Sequence, residues 1–219
     1  MVALAIDHLL VASPSLAAGQ DYLADRFGVE PVVGGSHPGQ GTCNALLALG
    51  KHCYLEVFAP DPAQPPTRTA DFLRTLAAPT LLWWAMRVEP VSAVTPLLQR
   101  AGVPVAAETA GARELPAEGG TLRWNLLLPG PSPAGNALPF FIAWSSLAEH
   151  PSTVIASNIR LRSLCVNAPG ELLPRLAAPG LTTHSADEPS LEAAFDTPRG
   201  IVTLASPPGY FPAVGELLD

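Results

Sequence analysis

Short apolar runs separated by turn formers dominate the chain, and they recur in a fixed order. Ile6 to Ala12 is strand-like and passes through Ser13-Pro14 into a stretch where Leu16, Leu23 and Phe27 recur at helical spacing before Gly28. Proline suits a first helical turn and glycine a C-terminal cap, so the pattern predicts a helix with one apolar face for a sheet. Leu82 to Val88 leads through Pro90 to Gly102, and Ile159 to Val166 leads through Pro169 to Gly180. Gly28, Gly102 and Gly180 fall at near-equal intervals, which points to one repeated unit.

In the first unit the strands Glu30 to Val33, Asn44 to Leu49 and Cys53 to Ala59 follow the helix, the last two joined by a tight Gly50-Lys51-His52 turn. The unit reads β-α-β-β-β. Val103 to Ala107, Thr121 to Leu128 and Pro139 to Ser145 repeat it in the second. The third is shorter, with only Leu191 to Phe195 and Gly200 to Ala205 reading as strands after Gly180. The expected organisation is a first βαβββ module over 1–60, a connector with a short helix over 61–80, a second βαβββ module over 81–151, and a βαββ extension over 152–219 packed on the same core. The class is α+β.

Four pieces of this framework resemble a known family: Ile6-Asp7-His8; Gly35-x-His37-x-x-x-Gly41-Thr42-x-Asn44; Tyr54-Leu55-Glu56; and Phe140-Phe141-Ile142-x-Trp144 followed by His150-Pro151. As a set in this order they resemble the glyoxalase-like domain group of the vicinal-oxygen-chelate superfamily, over nearly the whole chain. The resemblance implies paired βαβββ modules whose curved mixed sheets form an open trough around a pocket; a shared fold does not imply a shared activity.

Composition narrows the partners. With a formal charge of −7 and Lys51 as the only lysine, no basic stripe can neutralise a phosphate backbone, so nucleic acid is not expected. No apolar stretch is long enough to span a bilayer. Cys43, Cys53 and Cys165 are too few and wrongly spaced for a disulfide framework or a structural zinc site, which fits a cytoplasmic protein. A small-molecule ligand is the expected partner, and a homodimer is compatible with the sequence.

The period of two puts His8 on a strand face with Ile6 and Leu10, and Glu56 with Tyr54 and Phe58. A carboxylate among apolar neighbours is costly to desolvate unless paired or bound to a cation, so Glu56 needs a partner. The resemblance implies that His8 and Glu56 match the metal-ligand positions of the first module, with His37 as a third ligand and His150 next. One divalent ion, Zn, Ni, Co, Mn or Fe, would suit such a set. The alternative is a hydrogen-bonded core histidine paired with Glu56. In the second module Ala85, or Trp84 with a shift of one, falls opposite His8, and Ile142 falls opposite Glu56. His37 lies among Gly34, Gly35, Gly39 and Gly41 in a segment that lets backbone approach a ligand. Asn44 reads either as a hydrogen bonder in the pocket or as a turn cap.

Trp84, Trp124 and Trp144 are candidate substrate contacts, or core. Arg87, on the face of Trp83, would pair with a substrate carboxylate or with Glu56, or point outward. Two functions follow. One is a glyoxalase-like enzyme of isomerase, lyase or hydrolase type acting on a small oxygen-rich metabolite, with a divalent metal and with Glu56 or His37 as general base. The other is a metal-free protein that binds or sequesters a small molecule between tryptophans.

Overall fold

The computed structural model describes residues 3–114, 121–170, 173–207 and 209–217. The first module runs β1 (Ala5–Ala12), α1 (Leu16–Phe27), β2 (Val32–His37), β3 (Thr42–Ala48) and β4 (Tyr54–Pro60). Ser15 caps α1 by accepting from the Ala18 N–H, and Gly28 ends it at φ 72, in the left-handed region that glycine adopts without strain. The connector carries α2 (Arg68–Arg74). The second module runs β5 (Thr80–Arg87), a 3₁₀ turn into α3 (Thr95–Arg100), β6 (Val105–Glu114), β7 (Thr121–Pro129) and β8 (Phe140–Trp144).

These eight strands form one sheet in the order β2-β3-β4-β1-β5-β8-β7-β6. In each half the first strand lies parallel to the last, β1 to β4 and β5 to β8, and the halves meet where β1 runs antiparallel to β5. The sheet therefore has an approximate two-fold relation. Tyr54 pairs with His8 as Phe140 pairs with Ala85, and Glu56 with Leu10 as Ile142 with Arg87. Ala85 and Ile142 are thus the second-module counterparts of His8 and Glu56.

After α4 (Pro151–Val154) come β9 (Arg160–Ala168), β10 (Leu181–Ser185), β11 (Ser190–Thr197) and β12 (Gly200–Ala205), a second sheet in the order β10-β9-β11-β12. This element has one strand more than the sequence pattern predicts and a 3₁₀ turn where a helix is expected. Its wiring also differs from the modules. The first strand, β9, lies parallel to the strand that follows it in the chain, not to the last one.

The central strands of the large sheet are buried on both faces. On one face Leu9, Val11, Val57 and Trp84 pack under Leu23 and Phe27 of α1 and against Leu164, Leu191 and Phe195 of the second sheet. Phe27 and Phe195 touch, ring centroids 5.0 Å apart. On the other face Leu10, Leu46, Tyr54, Phe58, Trp83, Phe140, Ile142 and Trp144 form a second cluster, joined by Phe72 and Leu76 of the connector and by Phe211, Val214 and Leu217 of the C-terminal segment. This second face is the trough.

Candidate active site

The polar centre begins at an irregularity in β1. Ile6 pairs with Met86 and His8 with Ala85, so the β1–β5 register shifts at Asp7. Ile6 consequently packs on the α1 face while His8 joins Leu10 on the trough face, and the shared face of Ile6 and His8 expected from strict alternation does not occur. His8 stacks on Tyr54, centroids 4.5 Å apart, and meets the edge of Phe140.

Asp7 is fully buried and organises one side of this centre. Its Oδ1 accepts from His8 Nδ1 at 2.8 Å; its Oδ2 accepts from Trp144 Nε1 at 3.0 Å, Arg87 at 3.2 Å and His150 Nε2 at 3.3 Å. Burial alone would raise its pKa, but the hydrogen bonds and charges of His150 and His8 outweigh it and hold the carboxyl well below the usual range. Asp7 is therefore a carboxylate, His8 Nδ1 carries a proton toward it, and His8 Nε2 is left to face the trough. His150 is held the same way: its Nδ1 accepts from the Ser152 N–H at 3.2 Å, so its Nε2 is the donor to Asp7.

Glu56, 6% exposed, is the acid at the trough. Its Oε2 lies 3.9 Å from His8 Nε2 and its Oε1 3.8 Å from His37 Nε2. Asn44 closes the group, its Nδ2 donating to Glu56 Oε1 at 2.9 Å and to His37 Nε2 at 3.1 Å. Its Oδ1 accepts from the Gly35 N–H at 3.0 Å, so the amide is oriented from both ends. Glycine is required beside it, since a Cβ at Gly34 would collide with Asn44 Oδ1. With His37 Nε2 accepting, His37 Nδ1 carries the proton and donates to Thr42 Oγ1 at 2.9 Å. Burial lowers the His37 pKa against the pull of Glu56, which agrees with a neutral ring.

Two clefts open nearby. The larger, about 550 Å³, lies between the start of α1, the β2–β3 hairpin and the Pro60-Asp61-Pro62 turn; Gly35 and Asn44 line it, but His8, His37 and Glu56, on the trough face, do not. Its volume suits a small molecule. The smaller, about 220 Å³, is lined by Arg87, Glu89, Trp144 and Leu147 among others.

The glyoxalase-like domain family model matches residues 6–197, which takes in both modules and most of the second sheet. The chain belongs to this glyoxalase-like family. No curated protein matches it in sequence. Among solved structures, a hypothetical protein from Staphylococcus aureus is similar over 93% of this chain and 85% of its own, at 15% identity and a TM-score of 0.54, which shows the fold. A methylmalonyl-CoA epimerase from Mycobacterium tuberculosis is 25% identical over 64% of this chain and 86% of its own, with a TM-score of 0.42. Another hypothetical protein, from Bacillus halodurans, is 16% identical over 65% of this chain and 94% of its own, with a TM-score of 0.44.

The glyoxalase-like fold raises the question of a divalent ion, and the residues present do not fit one. Among the described residues no group of three or more His, Cys, Asp or Glu side chains is arranged to hold a metal. An imidazole nitrogen has one lone pair, and that of His37 Nε2 is engaged by Asn44. His150 is turned to Asp7, and Ala85 and Ile142 supply no donor from the second module. His8 Nε2 and Glu56 remain, one donor short of the three protein ligands usual in a catalytic zinc site. The expected set of His8, Glu56 and His37 thus meets in space but not as a ligand shell.

The remaining expected contacts scatter. Trp84 is fully buried on the α1 face, with its Nε1 donating to the Ala137 carbonyl, and does not reach the trough. Arg87 does not pair with Glu56; it donates to Asp7 and to the His52 carbonyl at 2.8 Å. Trp144 is committed to Asp7, and Trp124 packs against it with ring centroids 5.5 Å apart. Of these expected contacts, only Asn44 is bonded to Glu56. Cys43, Cys53 and Cys165 are free thiols, and among the described residues no helix is long and apolar enough to cross a membrane.

Proposed function

We propose that the protein is an enzyme of glyoxalase type that moves a proton at a carbon next to an oxygen-bearing carbon of a small metabolite, with Glu56 as the base. The observation that carries this reading is the Glu56 carboxylate, buried and faced by two imidazole Nε2 atoms at 3.9 and 3.8 Å. Asp7 and Thr42 fix the far nitrogens of those rings, so both near nitrogens are aimed at Glu56. A carboxylate with an imidazole alongside can take a proton from carbon and pass it on. His8 is the partner for that exchange, with Asp7 as its positioning residue.

Sequestration between aromatic rings is the weaker reading. The trough cluster that contains Trp83, Phe140 and Trp144 is already packed by Phe211, Val214 and Leu217 of the same chain, and Trp84 faces the opposite core.

The test surveys substrate classes and follows a single bond. Panels of 2-oxo acids, hydroxyketones and acyl thioesters are incubated in D₂O and followed by ¹H NMR for loss of the carbon-bound proton. Wild type should catalyse exchange in at least one class, and Glu56→Gln should lower that rate by roughly 10²–10⁴-fold, the range of general acid–base catalysis. Equal exchange by wild type and Glu56→Gln would remove Glu56 from the role of base.

A further inference from the structure

We infer that the Asn44 amide stands in the place of the cation at this centre, so that the protein works without a divalent ion and Asn44 is the residue that keeps one out. Asn44 Nδ2 lies 2.9 Å from Glu56 Oε1 and 3.1 Å from His37 Nε2, two atoms that are themselves 3.8 Å apart. One NH₂ group thus satisfies both an acid and an imidazole that a metal would otherwise join. The amide cannot turn its oxygen inward to become a ligand, because Oδ1 accepts the Gly35 N–H and would then face the Glu56 carboxylate. Glycine at position 34 leaves the space that this orientation needs.

The rest of the centre agrees. A buried carboxylate has to be compensated, and here donors do so in two places: four N–H groups at Asp7, and the Asn44 amide at Glu56. Across the pseudo-two-fold, Ala85 and Ile142 leave the second module with nothing to complete a shell. A single replacement should therefore change the character of the site. Asn44→Asp would supply a carboxylate oxygen, release the His37 lone pair and bring two nitrogens and two carboxylates together, a set suited to zinc and its neighbours.

This inference deepens the reading of Glu56 as a base, and the two fail separately. Proton exchange reports on Glu56; metal content and thermal response report on Asn44. The purified full chain is incubated with Zn, Ni, Co and Mn salts, desalted and analysed for metal, and its melting temperature is recorded with and without each ion and with EDTA. Wild type should retain well under one ion per chain and show a melting temperature that neither the ions nor EDTA move. Asn44→Asp should retain about one ion and melt roughly 5 °C or more higher with it, because an ion bound only by the folded chain stabilises it by mass action. If that variant does not fold without metal, Asn44→Cys, which is neutral until it binds, is read in the same way. Near-stoichiometric metal in wild type, or an EDTA-sensitive wild-type melt, would overturn the inference. So would a folded Asn44→Asp and Asn44→Cys that both ignore metal, since the amide would then not be what excludes it.

Discussion

Asp7 carries more of the centre than any other single residue, because one buried carboxylate satisfies His8, Arg87, Trp144 and His150 together. Its replacement by Asn keeps the shape but removes the charge, leaving Arg87 without its ionic partner. Breaking a buried pair in this way typically costs about 3–5 kcal/mol. Asp7→Asn should therefore lower the urea midpoint sharply, and a change within error would mean that the network is slack. Acid should weaken the wild-type fold in two windows. The folded pKa of His37 lies below its ordinary 6.5, so the unfolded chain binds a proton first; stability is whole above 6.5 and declines as the pH falls below it. Asp7 acts lower, its depressed folded pKa giving stability that is present above 3.8 and lost as the pH falls on through the folded value. Urea midpoints at about pH 8 and about pH 5 check the first window, and His37→Gln should flatten the difference between them. Glu56 was legible in the sequence as a mid-strand carboxylate in need of a partner, and the same argument applies to Asp7. Strict alternation hid it: a register shift at Asp7 lets it and its neighbour His8 both serve the polar centre, and one strand read by period two shows no such shift.

At the scale of elements, the runs that were easiest to read are those whose burial is settled by the core. β1, β3, β4, β5 and β8 are almost wholly buried, and their apolar runs predict them to within a few residues. β10 was not legible. Leu181-Thr-Thr-His-Ser has no buried residue and sits at the edge of the second sheet, so the ladder to β9 holds it and its side chains carry no pattern. β6 extends well beyond the expected Val103 to Ala107 for the same reason, as an edge strand with no buried residue over 105–113. The helix α1 was readable from its cap residues, and they can be tested. Ser15→Ala removes the acceptor for the Ala18 N–H and should cost about 1 kcal/mol. Gly28→Ala should cost as much or more, since φ 72 strains any residue with a Cβ and that Cβ would lie 3.0 Å from Arg199 Nε. Urea denaturation of each variant measures both, and a loss below about 0.3 kcal/mol in either would show that the cap contributes little.

At the scale of the molecule, the approximate symmetry of the large sheet is broken by chemistry. One half of the trough holds His8, His37, Asn44 and Glu56; the other half, at the matching positions, holds Ala85 and Ile142. The polar half has to be approached by a ligand, whereas the apolar half has to be covered, and the C-terminal segment covers it. Phe211, Val214 and Leu217 pack on that cluster, Trp83 Nε1 donates to the Pro212 carbonyl at 2.9 Å, and the Leu217 carbonyl accepts from Thr69 Oγ1 at 2.8 Å. Fully burying such side chains is worth about 1.5–3 kcal/mol each; these are half-buried, so together they should contribute roughly 3–4 kcal/mol. A chain ending at Pro207 should accordingly melt roughly 10 °C lower. It should also bind an apolar dye such as anilinonaphthalene sulfonate, because the aromatic half of the trough is then bare. Trp83 fluorescence should shift to the red as its indole meets water. An unchanged melt with no dye binding would show that the segment rests on the trough without closing it, and the aromatic half would then be open to a ligand after all.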